Sequence, residues 1–257
     1  MDNIKRYMDI VLYRTYAQLK SESQEFYLGF LWFILEPLLY TATLYLIFGV
    51  LIGGRGIDFV LYLLVGMIVW QFFDGGVMEG MNAIRSKIGI FNSVYLPKYV
   101  FPWVQILTVC TKFLFVLSII LVFSMVIGSK LTVASFLMLL GLIVIQLTLI
   151  SGIATALAVY ATYYGDLVRV VTAVMRLLFY VSGIFFSLDL VPAHLKTLFL
   201  ANPVASLIIC YRDVIIHGKM PNINLIAYIL AFSIIGNIIG LLICKKFDKR
   251  MLREVSS

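Results

Sequence analysis

The chain has 257 residues, 62% of them hydrophobic and only 13% charged, with a formal net charge of +7. A soluble domain is roughly half apolar and a quarter charged, so this composition excludes a water-facing globule. Apolar segments recur from Leu28 to Cys244 behind a polar start, which excludes a single cleavable leader ahead of a soluble body.

In chain order, residues 1–27 come first, with Ile4, Met8, Val11, Leu12, Thr15 and Leu19 apolar and charges between them. That pattern predicts an amphipathic interfacial helix, with an ordinary basic juxtamembrane segment equally open. Crossing the hydrocarbon takes about 20 apolar residues. Residues 28–244 contain six such stretches: 28–52, 57–76, 102–127, 131–160, 167–187 and 224–244. The second is short and the fourth is long enough to require tilt. A cytoplasmic loop, 77–101, follows the second. The segment 188–223, broken by Pro192, Pro203 and Pro221, predicts short helices re-entering the membrane or lying at its face. Residues 245–257 form a basic tail.

The placement of Lys and Arg orients this topology. With the N-terminus in the cytoplasm, thirteen face inward: Lys5, Arg6, Arg14, Lys20, Arg85, Lys87, Lys98, Arg169, Lys245, Lys246, Lys249, Arg250 and Arg253. Five face outward: Arg55, Lys130, Lys196, Arg212 and Lys219. The fold class is therefore an all-α polytopic membrane protein with six spans and both termini cytoplasmic. The basic charge is spent on orientation, and no nucleic-acid partner is expected.

No phosphate-binding loop is present, because the Gly53–Gly56 turn lacks the Lys and Ser/Thr that grip a nucleotide. His194 and His217 are isolated, and Cys110, Cys210 and Cys244 have no paired spacing, so neither a metal site nor a disulfide framework is expected. The chain is thus read as a non-enzymatic subunit without a cofactor of its own. Any ATP and Mg would be bound by a partner ATPase.

Polar groups inside spans carry the functional signal, because they are costly in lipid. Trp32, Glu36, Tyr40 and Thr43 share one helical face of the first span. On the fifth, Arg169, Thr172, Arg176, Tyr180, Gly183 and Ser187 recur at three- and four-residue steps, with Phe179 adjoining them. These residues are candidates to line a conduit. Arg169 and Arg176, near the cytoplasmic end of the fifth span, would suit a phosphate entering from that side. The alternative is that Arg169 snorkels and Arg176 pairs with Glu36 as a structural bridge. Nineteen Phe, fifteen Tyr and three Trp offer surfaces for sugar rings or simply pack in lipid. Gly236 and Gly240 form a G-x-x-x-G that suits close helix packing within the chain or between copies. In the cytoplasmic loop, "EGMNAIRSKIGI" (79–90) predicts a short amphipathic helix. Glu79, Met81, Ile84, Arg85, Ile88 and Phe91 are its candidates for receiving force from an ATPase.

Taken together, these residues resemble the ABC-2 type permeases of the polysaccharide-export family. "LGFLWFILEPLLY" (28–40) is similar to that family's L-G-x-L-W-x-x-L-x-P signature, and "LLVGMIVWQFF" (63–73) to its G-x-x-x-W-x-F-F second span. Asp166 stands where the family closes its fourth span. Asn202–Pro203 and Arg212–Asp213 match pairs in its extracytoplasmic segment. The family usually has basic residues before the first span, where this chain has Glu22 and Glu25, and Gly165 replaces a common Arg; Lys20, Arg169 and Arg176 are the substitutes here for the lipid-phosphate site that the resemblance implies. The resemblance implies a homodimer with two cytoplasmic ATPase subunits, in the bacterial inner membrane among its lipids. It implies a conduit along the first and fifth spans for a lipid-linked glycan: O-antigen first, capsule or teichoic acid as alternatives. A small-molecule exporter is the reading outside that class.

Overall fold

The structure is a computed structural model describing residues 2–25, 31–52, 56, 58–86, 100–129 and 131–254, with the backbone alone for 2–4, 25 and 247–254. Helices α1 (Asp2–Glu25), α2 (Trp32–Leu44, continuing as a π-helix over Tyr45–Leu51), α3 (Asp58–Asn82) and α4 (Val100–Ile127) lead into α5 (Val133–Tyr163). Then come α6 (Asp166–Val181), α7 (Lys196–Leu200), α8 (Pro203–Ile215) and α9 (Ile223–Glu254). Among the described residues there is no strand. The protein is all-α, and five of its helices are long and apolar enough to cross a membrane: α2 with its continuation, α3, α4, α5 and α9.

Helix α3 is the central column. Its Leu61–Phe73 stretch is apolar nearly all round, and such a helix is stable only when surrounded. Here α2, α4, α5, α6 and α8 enclose it. Helices α2 and α9 leave a broad apolar side open, including Leu38, Leu46 and Val50 on one and Ile234, Ile238 and Leu242 on the other. Such surface suits lipid or another membrane protein. Helices α5 and α9 lie in close contact, where a Cβ on Gly240 would stand 2.8 Å from the Gly152 carbonyl oxygen. Asn237 fixes their register, accepting from Ser151 Oγ at 2.8 Å and donating to the Thr148 carbonyl. Gly240 therefore packs within the chain, whereas Gly236 faces open space.

The first helix lies against α4, as two reciprocal amide hydrogen bonds join Gln18 and Gln105 at 2.7 and 3.1 Å. Thr15 is buried on that face, while Met8, Leu12, Tyr13 and Tyr16 are exposed. The expected apolar stripe is thereby divided between the bundle and the outside.

The fifth apolar stretch departs from expectation. Helix α6 has 16 residues, about 24 Å at 1.5 Å per residue against a hydrocarbon layer of about 30 Å. It stops because Gly183 adopts a left-handed φ of +69°, which closes the helix and turns the chain away. The segment after it contains the expected short helices. Ala193–Leu200 and Pro203–Ile215 form a pair bent by 96°, the geometry of a broken or re-entrant element. Asn202 makes the corner, since its Oδ1 caps α8 by accepting from the Val204 and Ala205 amides. Its Nδ2 donates to Ser182 Oγ at 3.0 Å, tying the hairpin to the end of α6.

Candidate functional site

Where α2, α3 and α6 converge, their polar faces enclose a cavity of about 450 Å³. Glu36 and Tyr40 come from α2. Thr172, Arg176, Phe179 and Tyr180 come from α6, and Trp70, Gln71 and Asp74 from α3. Pro37 follows Glu36 and has no N–H to offer the Phe33 carbonyl, so the backbone hydrogen bonding of α2 is interrupted beside the cavity. A second recess of about 260 Å³ lies between α2, α3 and α4 and shares Glu36, Gln71 and Asp74 with the first. A third, more open recess of about 340 Å³ carries Trp32, Glu36, Tyr40 and Thr43 on one face.

The first-span candidates and four from the fifth are thus brought to one region. Two others are not. Gly183 is buried at the turn after α6, with Phe199 packed where a Cβ would stand and its carbonyl engaged by Arg212. Ser187 lies in the loop beyond it, outside these cavities. Glu36 and Arg176 both line the larger cavity, but no ion pair joins them among the described residues. Arg169 is 88% exposed, 3.9 Å from an equally exposed Asp166, and Lys20 is exposed on α1. Neither lines a cavity with Arg176.

The coupling face is also redrawn. Met81 ends α3 inside the main core, and Ile84 packs with Ala83, Phe101 and Ala158. Both are buried, so they cannot form a projecting surface. Glu79 lines the smaller recess. Arg85 is exposed, and Ile88 and Phe91 lie outside the described residues.

Four polar side chains were not among the candidate site residues: Gln71, Asp74, Lys112 and Arg212. Gln71 and Asp74 lie within the expected second span, 57–76, and an ionisable residue after "WQFF" obeys the rule that singled out Glu36. Lys112, inside α4, bonds Glu22 at 2.6 Å, lies 3.9 Å from Glu79 and sits 4.9 Å above the Phe33 ring. Glu22, which stands where the resembling family has basic residues, is therefore paired with a cation from a span. Arg212, only 4% exposed, donates to the carbonyls of Gly183 and Ile184 at 2.7 Å and to that of Tyr62 at 3.1 and 3.2 Å. It also lies over the Tyr62 ring, 3.4 Å from its centroid.

Aromatic rings run from the cavity to the hairpin. Trp70 meets Phe179 edge-on at 5.7 Å, Phe179 meets Phe185 at 6.3 Å, and Phe185 meets Phe186 at 5.4 Å. Phe186 then reaches Phe199 of α7 at 5.6 Å. Rings beside hydrogen-bonding groups suit a ligand with apolar C–H faces and hydroxyl edges. Among the described residues no group of His, Cys, Asp and Glu is placed to hold a metal ion.

Fold and recesses together define a multi-pass membrane protein with a polar and aromatic recess between α2, α3 and α6. An O-antigen export system permease protein of Klebsiella pneumoniae is 26% identical over 249 residues, 96% of this chain and 95% of that protein. A protein of the same description from Myxococcus xanthus is 25% identical over 90% of this chain and 89% of its own length. A polysialic acid transport protein of Escherichia coli is 24% identical over 91% and 92%. No protein-family model matches the chain. Similarity across nearly the whole of each chain agrees with the resemblance carried by the 28–40 and 63–73 motifs and supports an ABC-2 type permease of the polysaccharide-export family, multi-pass in the inner membrane.

Proposed function

We propose that the chain is the membrane subunit of an ATP-driven exporter that moves lipid-linked polysaccharide, of the O-antigen class, from cytoplasm to periplasm. The observation that carries this is the end-to-end similarity to O-antigen export permeases. The cavity between α2, α3 and α6 is consistent with it, since it combines hydroxyl-bonding groups with aromatic walls. Two copies of the chain would face each other across α2 and α6, whose Trp32, Glu36, Tyr40, Arg176 and Tyr180 are exposed in the single chain. A charge at that depth is costly unless protein or water meets it, and a second copy would supply both. The energy would come from two copies of a separate ATPase, which hold ATP and Mg. Arg85, exposed below α3, is the described residue best placed to meet it, with both termini on the same cytoplasmic side. The polysialic acid transport relative favours capsule export as the second reading.

Deletion of the gene followed by fractionation tests the proposal. Export requires lipid-linked polymer to accumulate inside the cell and the surface glycan to disappear. Unchanged surface glycan would overturn it.

A further inference from the structure

The two recesses, both open on one side, share Glu36, Gln71 and Asp74 as a common floor. Gln71 and Asp74 are one turn apart on α3 and face Glu36 on α2. Among the described residues none of the three has a hydrogen bond or ion pair to another group. Polar groups within a span that find no protein partner must meet water or a polar ligand. The charge around them is unbalanced. Glu36, Asp74 and Glu79 contribute three carboxyl groups to the joined recesses, and Lys112 and Arg176 two basic groups. Lys112 is moreover held by Glu22 at 2.6 Å. The lining therefore carries a formal excess of one carboxyl group over its cations.

We propose that this floor makes the passage selective for uncharged glycans, with Glu36 and Asp74 accepting hydrogen bonds from sugar hydroxyls and Gln71 exchanging them. The inference rests on the polysaccharide-export reading and names the substrate class within it. A sugar hydroxyl is a donor that a carboxylate can accept without charge conflict, and Trp70, Phe179 and Tyr180 cover the C–H faces beside it. A carboxylated sugar entering the same space would place like charges together where water is scarce, the arrangement by which sites reject a wrong partner. Arg176 alone cannot balance each acidic unit of a long polymer.

The test uses two hosts lacking their own exporter. One makes a neutral lipid-linked hexose polymer and the other a lipid-linked sialic acid polymer. Each receives the full chain with the ATPase that copurifies with it, and surface and internal polymer are measured. The expected surface-to-internal ratio is higher for the neutral polymer by about tenfold, equivalent to about 1.4 kcal/mol of repulsion. Glu36→Gln combined with Asp74→Asn should shrink that preference by raising the sialic acid polymer. If the double variant is missing from the membrane, Glu36→Gln alone is read for the same shift. Equal export of both polymers by the unaltered chain would overturn the selectivity while leaving polysaccharide export standing. A preference that the variants do not change would also overturn the role of the floor. Retention of both polymers at normal membrane levels of the chain would overturn the export reading and the selectivity with it.

Discussion

Gly66 of α3 lies directly against the guanidinium of Arg212, so that a Cβ at Gly66 would stand 2.5 Å from Nη2. The missing side chain is what lets a cation from α8 reach the Tyr62 carbonyl on α3 and the Gly183 and Ile184 carbonyls after α6. Three elements are pinned by one residue whose partners are backbone oxygens and an aromatic face. Such groups have no water to turn to at this depth, so their satisfaction is a condition of the fold.

Arg212→Met should therefore be among the most damaging single changes. It leaves three carbonyls without their donor, at about 1–3 kcal/mol each. Arg212→Lys should rescue little, because an ammonium cannot fork between diverging acceptors. Gly66→Val should cost about 1–3 kcal/mol by forcing the guanidinium aside. Thermal unfolding of the purified protein in nanodiscs checks all three, and an unshifted midpoint for Arg212→Met would refute the pinning role.

The two glycines of the G-x-x-x-G should behave differently. Gly240→Val drives α9 off the Gly152 carbonyl and should lower stability by about 1–3 kcal/mol. Gly236→Val meets open space and should stay within about 0.5 kcal/mol. Parallel unfolding curves for the two variants decide, and equal losses would contradict the intramolecular packing.

Lys112 and Glu22 are both largely shielded, at 17% and 25% exposure. A double-mutant cycle with Lys112→Met and Glu22→Gln should give a coupling of about 1 kcal/mol, above the lower range of exposed pairs. Coupling indistinguishable from zero would mean the pair does not hold α1 to α4.

Much of this was legible in sequence, because lipid imposes one dominant rule. Long apolar runs bounded by charge read correctly as α2, α4, α5 and α9, and Pro203 and Asn202 marked the corner of the hairpin. Glu36, Arg176 and Tyr180 were singled out because polar side chains on one stripe of an apolar helix need a reason, and all three line the same recess. Asp74 was missed although it lies inside the expected second stretch, 57–76, which α3 carries on to Asn82. Met81 and Ile84 have the same spacing as a projecting amphipathic helix, and only the packing of Met81 in the main core and of Ile84 with Phe101 and Ala158 shows that they are buried. The early end of α6 depended on Gly183 being held by Arg212, a contact across 29 positions of sequence that no local pattern reveals.

Burial also separates stability from coupling in the cytoplasmic segment. Ile84→Asp should reduce the amount of protein in the membrane, since it places a charge in a core. Arg85→Glu should leave membrane levels unchanged and reduce ATPase copurification. Equal membrane levels for both variants would contradict the burial of Ile84, and undiminished copurification would remove Arg85 from the contact.

Photo-crosslinking during stalled export addresses the passage itself. A crosslinking amino acid at Tyr180, on the cavity wall, is expected to capture lipid-linked glycan, whereas one at Ile235, exposed on the outer side of α9, is expected to capture lipid alone. Equal glycan capture at the two positions, or capture at Ile235 only, would contradict a route between α2, α3 and α6.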